Sequence, residues 1–98
     1  MKIEYYPKKK TIEAFAEDND LVMEVYDRGP HRLRPQYYAC FEGAEIKEGS
    51  SLVGVFGDGV SPEAAIRAYA KEISGKLLVV GAWSTNRREI RVPVLEVK

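Results

Sequence analysis

Residues 51–75 read SLVGVFGDGVSPEAAIRAYAKEISG, and this stretch decides the fold class. It divides into a strand-like apolar run, a Gly57-Asp58-Gly59 turn and a well-bounded amphipathic helix. Ser61 is placed to cap the helix, its hydroxyl accepting from an otherwise unpaired backbone N–H. Pro62 falls at the first helical position, where a missing N–H costs little. Glu63 puts negative charge in the first turn, on the favourable side of the helix dipole. Ile66, Tyr69, Ala70 and Ile73 recur at helical spacing and form one apolar stripe. Gly75 stands where a left-handed residue ends a helix. Gly57 and Gly59 are expected to supply positive φ in a tight strand-to-helix turn.

Working outward, residues 1–10 form an extended or flexible arm ended by Pro7 and Lys8, Lys9 and Lys10, and residues 11–98 form a single domain. Thr11 caps a short helix reaching about Asn19, with Ile12, Phe15 and Ala16 on its buried side. Residues 21–26 alternate as a strand. Residues 27–35, with Gly29, Pro30 and Pro35, are a loop. Residues 37–42 form a second strand that can run on to Ile46, with Gly43 marking a bulge or bend. Residues 52–56 form a third. After the main helix, residues 77–83 are a continuous apolar run, expected as a strand covered on both faces or at an interface. Ile90, Val92 and Val94 alternate in a last strand, which Pro93 assigns to a sheet edge.

The class is therefore α+β: a short N-terminal helix, a three-stranded antiparallel meander, one main amphipathic helix packed on the sheet, and one or two further C-terminal strands. Ninety-eight residues with 45% apolar content suit one small core. No apolar run is long enough to cross a bilayer. The opening residues lack the apolar stretch of a signal peptide, so the expected location is the cytoplasm, and the lone Cys40 agrees with it.

Candidate chemistry is sparse. His31 is the single histidine and lies in a basic loop, and no spacing brings Cys40 to it, so loop His and core Cys are the expected roles. One His and one Cys do not make a structural zinc site, and Asp18, Asp20 and Asp27 lack the pattern of a calcium loop. Gly57-Asp58-Gly59 precedes a helix N-terminus, a place that can hold phosphate. No third Gly and no Lys follow, and Asp58 and Glu63 would repel an anion. No enzyme activity, metal or cofactor is expected.

The basic clusters remain. Fifteen basic residues balance fifteen acidic ones, so a strongly cationic surface is not expected. Arg32, Arg34, Arg87 and Arg88 can contact phosphate, with Tyr37 or Trp83 stacking on unpaired bases, if the 27–35 loop and the 84–89 turn share one side. The same residue types also serve as anchors in protein interfaces.

Three resemblances bear on function. The helix–three strands–helix order is similar to the layout of double-stranded-RNA-binding domains. Those domains carry lysines at the start of the last helix, where this chain has Ser61, Pro62, Glu63, Ala64 and Ala65. The order strand, strand, strand, then Gly57-Asp58 and Glu63-Ala64-Ala65-Ile66, resembles HicB-type antitoxins, without that family's DNA-binding tail. The run from Tyr37 to Leu95, with Ala70-Lys71-Glu72-Ile73-Ser74-Gly75-Lys76 and Arg87-Arg88-Glu89-Ile90 as its distinctive parts, resembles a family of small bacteriophage and prophage proteins. That resemblance implies an accessory role inside the host cell.

These readings converge on a non-enzymatic phage or prophage accessory protein that binds nucleic acid through its basic loops. The alternative is a protein-interaction module, antitoxin-like or anti-defence, acting on a host or phage protein. Self-association through the last strand as a homodimer is compatible with either.

Overall fold

The computed structural model describes residues 1–5, 8–30 and 33–97. The chain is α+β, with two helices and seven strands in two antiparallel sheets among the described residues. Helix α1 (Ile12–Asp18) is capped by Thr11, whose hydroxyl accepts from Ala14 N at 3.1 Å. Strands β1 (Met23–Asp27) and β2 (Tyr37–Phe41) form an antiparallel hairpin. Strands β3 (Ala44–Glu48) and β4 (Ser51–Val53) form a second, closed by a turn at Gly49-Ser50. Strand β5 (Gly57–Gly59) leads into helix α2 (Pro62–Ile73), followed by β6 (Leu77–Val80) and β7 (Arg88–Arg91).

The sheets have orders β1-β2-β5 and β4-β3-β6-β7. The expected three-stranded antiparallel meander is the sheet β1-β2-β5, and β3 and β4, inserted between β2 and β5, belong to the second sheet. Gly43, at φ +67°, turns the chain from β2 out of one sheet and into the other, the bend expected there. The strand expected over residues 52–56 ends at Val53 in β4, and residues 54–56 carry the chain without regular structure to β5 in the other sheet.

The Gly57-Asp58-Gly59 turn needs correction. These residues are a strand paired with β2, and neither glycine has positive φ. The reason for glycine is close approach instead. A Cβ on Gly57 would lie against the Tyr69 amide and the Ala65 carbonyl and 2.6 Å from Tyr69 Cα. One on Gly59 would lie 2.6 Å from Ala64 C. Helix α2 thus rests directly on the bare backbone of β5, which no side chain would permit.

Helix α2 has the expected ends. Ser61 Oγ accepts from Ala64 N at 3.1 Å, and Gly75 follows the C-cap Ser74 at φ +74°. Its stripe buries Ala65, Tyr69, Ala70 and Ile73 against Phe41, Ala39, Ile46 and Leu78. The Phe41 and Tyr69 rings meet edge to face with centroids 5.4 Å apart, a favoured aromatic geometry. Ile12 and Phe15 of α1 close one side of this core, and Val92 and Leu95 of the C-terminal segment complete it.

Strand β6 ends at Val80 rather than running to Trp83, because Gly81 turns the chain at φ +67°. Leu78 and Val79 point to opposite faces and both are buried, so the strand is covered on both sides as its composition implies. Strand β7 lies at the sheet edge, with Pro93 just beyond it. The C-terminal segment returns beside the start of α1, where Glu96 N donates to Lys10 O at 2.9 Å.

Candidate functional site

Helix α2 covers one face of the three-stranded sheet, and the other face is open. The period of two along a strand decides which residues point where. Ala39, Phe41 and the β5 glycines face α2, so Tyr38, Cys40 and Asp58 face away. The register places Tyr26 opposite Tyr38, Tyr38 opposite Asp58, and Glu24 opposite Cys40. A row Tyr26–Tyr38–Asp58 therefore crosses all three strands, with Glu24 and Cys40 behind it.

Aromatic contacts organise this row. The Tyr26 and Tyr38 rings stack with centroids 4.8 Å apart. Phe56, just before β5, meets Tyr38 edge-on at 5.5 Å. Arg28 lies over the Tyr38 ring at 4.3 Å from its centroid. The same guanidinium donates to Asp58 Oδ1 at 2.9 Å and to the Pro35 carbonyl at 2.9 Å. Its side chain is only 16% exposed. Both faces of the Tyr38 ring are thus engaged, and the Arg28 charge is matched by a carboxylate. Tyr26 and Phe56 remain open to solvent at 40% and 53% exposure.

Titration follows the same geometry. Tyr26 is held above its ordinary value, first by a hydrogen bond with Glu24 and then by desolvation. Cys40 is also pushed up, chiefly by burial and then by the Glu24 charge. A shallow groove of about 440 Å³ carries the open face past Glu24 and Cys40 to Trp83, which is 92% exposed on the turn after β6.

The residues expected to contact nucleic acid are dispersed by comparison. Arg32, like His31, lies outside the described residues. Arg34 is exposed in the loop before β2. Tyr37 belongs to the face of β2 opposite Tyr38 and packs against the core, with its hydroxyl accepting from Gln36 Nε2 at 3.4 Å. Arg87 pairs with Glu89 at 3.6 Å, in the four-stranded sheet. Arg88 donates to the Asn19 carbonyl at 2.7 Å, beyond the end of α1. The contacts these arginines make therefore run to other parts of the fold, and Tyr37 and Trp83 belong to different surfaces.

Tyr26, Arg28, Tyr38 and Phe56 come from three separate segments, and their meeting is a consequence of register. Alternation in residues 37–42 already puts Tyr38 and Cys40 on one face. What the sequence leaves open is which residue of the preceding strand lies opposite. Among the described residues, no group of three or more His, Cys, Asp or Glu is arranged to hold a metal ion. No helix among the described residues is long and apolar enough to cross a membrane. Comparison with protein-family models, curated proteins and solved structures finds no match to this chain.

Proposed function

We propose that this chain is a non-enzymatic protein-interaction module, a phage or prophage accessory protein acting on a host or phage protein in the host cytoplasm. Its contact surface is the open face of the three-stranded sheet, extended along the groove to Trp83. The observation that carries this reading is the Tyr26–Tyr38–Phe56 cluster, partly exposed, with Tyr26 and Tyr38 on paired strands and Phe56 on the segment that enters β5. Aromatic anchors on a rigid support, bordered by polar groups, are what protein interfaces use.

Charge separates this from nucleic-acid binding. Glu24 and Asp58 stand on the same face, and Arg28 is already paired with Asp58. A phosphate backbone drawn across this face would meet carboxylates rather than free cations. Catalysis by Cys40 is disfavoured as well, since a nucleophilic thiol needs its pKa lowered and this one is raised by burial and then by Glu24.

Fluorescence anisotropy against single- and double-stranded DNA and RNA, at low and near-physiological salt, tests the distinction. The reading predicts no salt-sensitive binding. Binding that falls steeply with salt and is lost on Arg87→Ala/Arg88→Ala would overturn it in favour of the nucleic-acid alternative.

A further inference from the structure

The groove beside the open face is built from both sheets. Gly43 and Gly81 lie in it, each at φ +67°, and Gly81 N donates to Gly43 O at 3.1 Å. Two chain turns are thereby tied together, and neither glycine puts a side chain into the space. Glu24 reaches the groove from the open face, where it stands opposite Cys40. Glu45 reaches it by alternation in β3. Ala44 and Ile46 pack on the core, so Glu45 turns the other way. Trp83 borders the same groove with its indole exposed.

Charge in this groove is not balanced within the chain. Among the described residues, ion pairs engage Glu4, Asp18, Asp58 and Glu89, and none engages Glu24 or Glu45. No Lys or Arg among them lines the groove. Glu24 has a hydrogen bond with Tyr26, which brings no positive charge. The Cys40 thiol, inside the groove, feels the Glu24 carboxylate. The space therefore presents two carboxylates and an aromatic face to whatever enters it.

The same sheet shows what such a combination holds. Arg28 lies over the Tyr38 ring at 4.3 Å from its centroid and donates to Asp58 Oδ1 at 2.9 Å. That pocket is filled from within the chain. The Trp83 groove offers the same two components, an aromatic face and carboxylate, with no guanidinium of its own. A guanidinium suits them better than an ammonium. It is flat enough to stack on an indole, it forks to match carboxylate oxygens, and it gives up its hydration more readily.

We propose that the groove receives an arginine side chain of the partner protein, its charge neutralised by Glu24 and Glu45 and its guanidinium covered by Trp83. This rests on the contact-surface reading and adds the chemistry of what that surface takes. The partner presents an arginine to the groove and apolar neighbours to Tyr26 and Phe56. Charge complementarity of this kind fixes which partner docks and in what orientation.

The probe is a blocked tripeptide, acetyl-Gly-Arg-Gly-amide, titrated into the isotopically labelled full chain and followed by NMR. The citrulline peptide, of the same shape without the charge, is titrated alongside. The arginine peptide should give saturable shifts at the Gly43 and Gly81 amides and the Trp83 indole N–H, and the citrulline peptide should not. Glu24→Gln/Glu45→Gln should weaken binding roughly tenfold or more, and Trp83→Ala should weaken it as well. Glu13→Gln/Glu72→Gln, which removes equal charge elsewhere, should leave it unchanged. No shift at the groove, equal shifts with citrulline, or arginine binding that survives Glu24→Gln/Glu45→Gln would each overturn the proposal. None of these results decides the contact-surface reading, which stands or falls on capture of a protein through Tyr26 and Phe56.

Discussion

Gly57 of β5 lies directly beneath Tyr69 of α2, so close that a Cβ on the glycine would meet the tyrosine's own backbone. This approach brings the helix down onto the sheet and buries Tyr69 against Phe41. Its consequence for mutation is sharp. Gly57→Ala and Gly59→Ala each drive a methyl into backbone atoms that cannot rotate aside, and should cost about 2 kcal/mol or more. Gly54→Ala has open space around it and should change stability by about 0.5 kcal/mol or less. Urea midpoints of the three variants check the contrast.

Ser74 joins the end of α2 to the C-terminal segment. Its hydroxyl donates to Ala70 O at 2.6 Å and accepts from Leu95 N at 3.0 Å. Ser74→Ala removes both bonds and strands the Leu95 amide, so a loss of about 1–2 kcal/mol is expected. Hydrogen exchange should then show faster exchange at Leu95 than at the centre of α2.

Tyr69 gives the fold a defined alkaline limit. Burial pushes its phenol up from 10.0 to about 12, against a smaller lowering by a hydrogen bond with the Phe41 backbone. Between these values the unfolded chain has lost the proton and the folded chain keeps it. The contribution of Tyr69 to stability is therefore constant below pH 10 and is lost as pH rises from 10 towards 12. The drop across that window is roughly 3 kcal/mol. Denaturant midpoints taken at stepped pH should show it, and Tyr69→Phe, though less stable at neutral pH, should lack that step.

Cys40 should behave as a slow thiol. Burial and the neighbouring Glu24 both hold its pKa above 9.0. Reaction with a thiol-specific disulfide reagent at neutral pH should be slower than for a free cysteine, with a rate midpoint above pH 9.0. Glu24→Gln should lower that midpoint. Rapid modification at neutral pH would contradict the geometry.

The sequence is most informative where signals are local. The Ser61 cap, Pro62, the Tyr69–Ile73 stripe and the left-handed Gly75 specify α2 almost completely, and Thr11 does the same for α1. Gly43 is legible as a bend, though not as the point where the chain changes sheets. Gly57 and Gly59 are misleading because glycine serves positive φ and close approach equally well. Only the position of α2 distinguishes the two. The contact surface is hidden for a similar reason. Tyr26, Tyr38 and Phe56 carry no shared motif, and the β1–β2 register that unites two of them depends on packing of the whole hairpin. The arginine clusters stand out in the sequence, yet Arg28, Arg87 and Arg88 are engaged with Asp58, Glu89 and the Asn19 carbonyl.

The most direct test of the contact surface is affinity capture from nuclease-treated bacterial lysate at high salt, comparing three baits. These are the parent chain, Tyr26→Ser/Phe56→Ser, and Arg34→Ala/Arg87→Ala/Arg88→Ala. The account predicts a protein retained by the parent and by the arginine variant and lost from the aromatic variant. Retention that survives loss of the aromatics but fails with the arginines, with salt or with nuclease would contradict it, as would a parent bait that retains no protein.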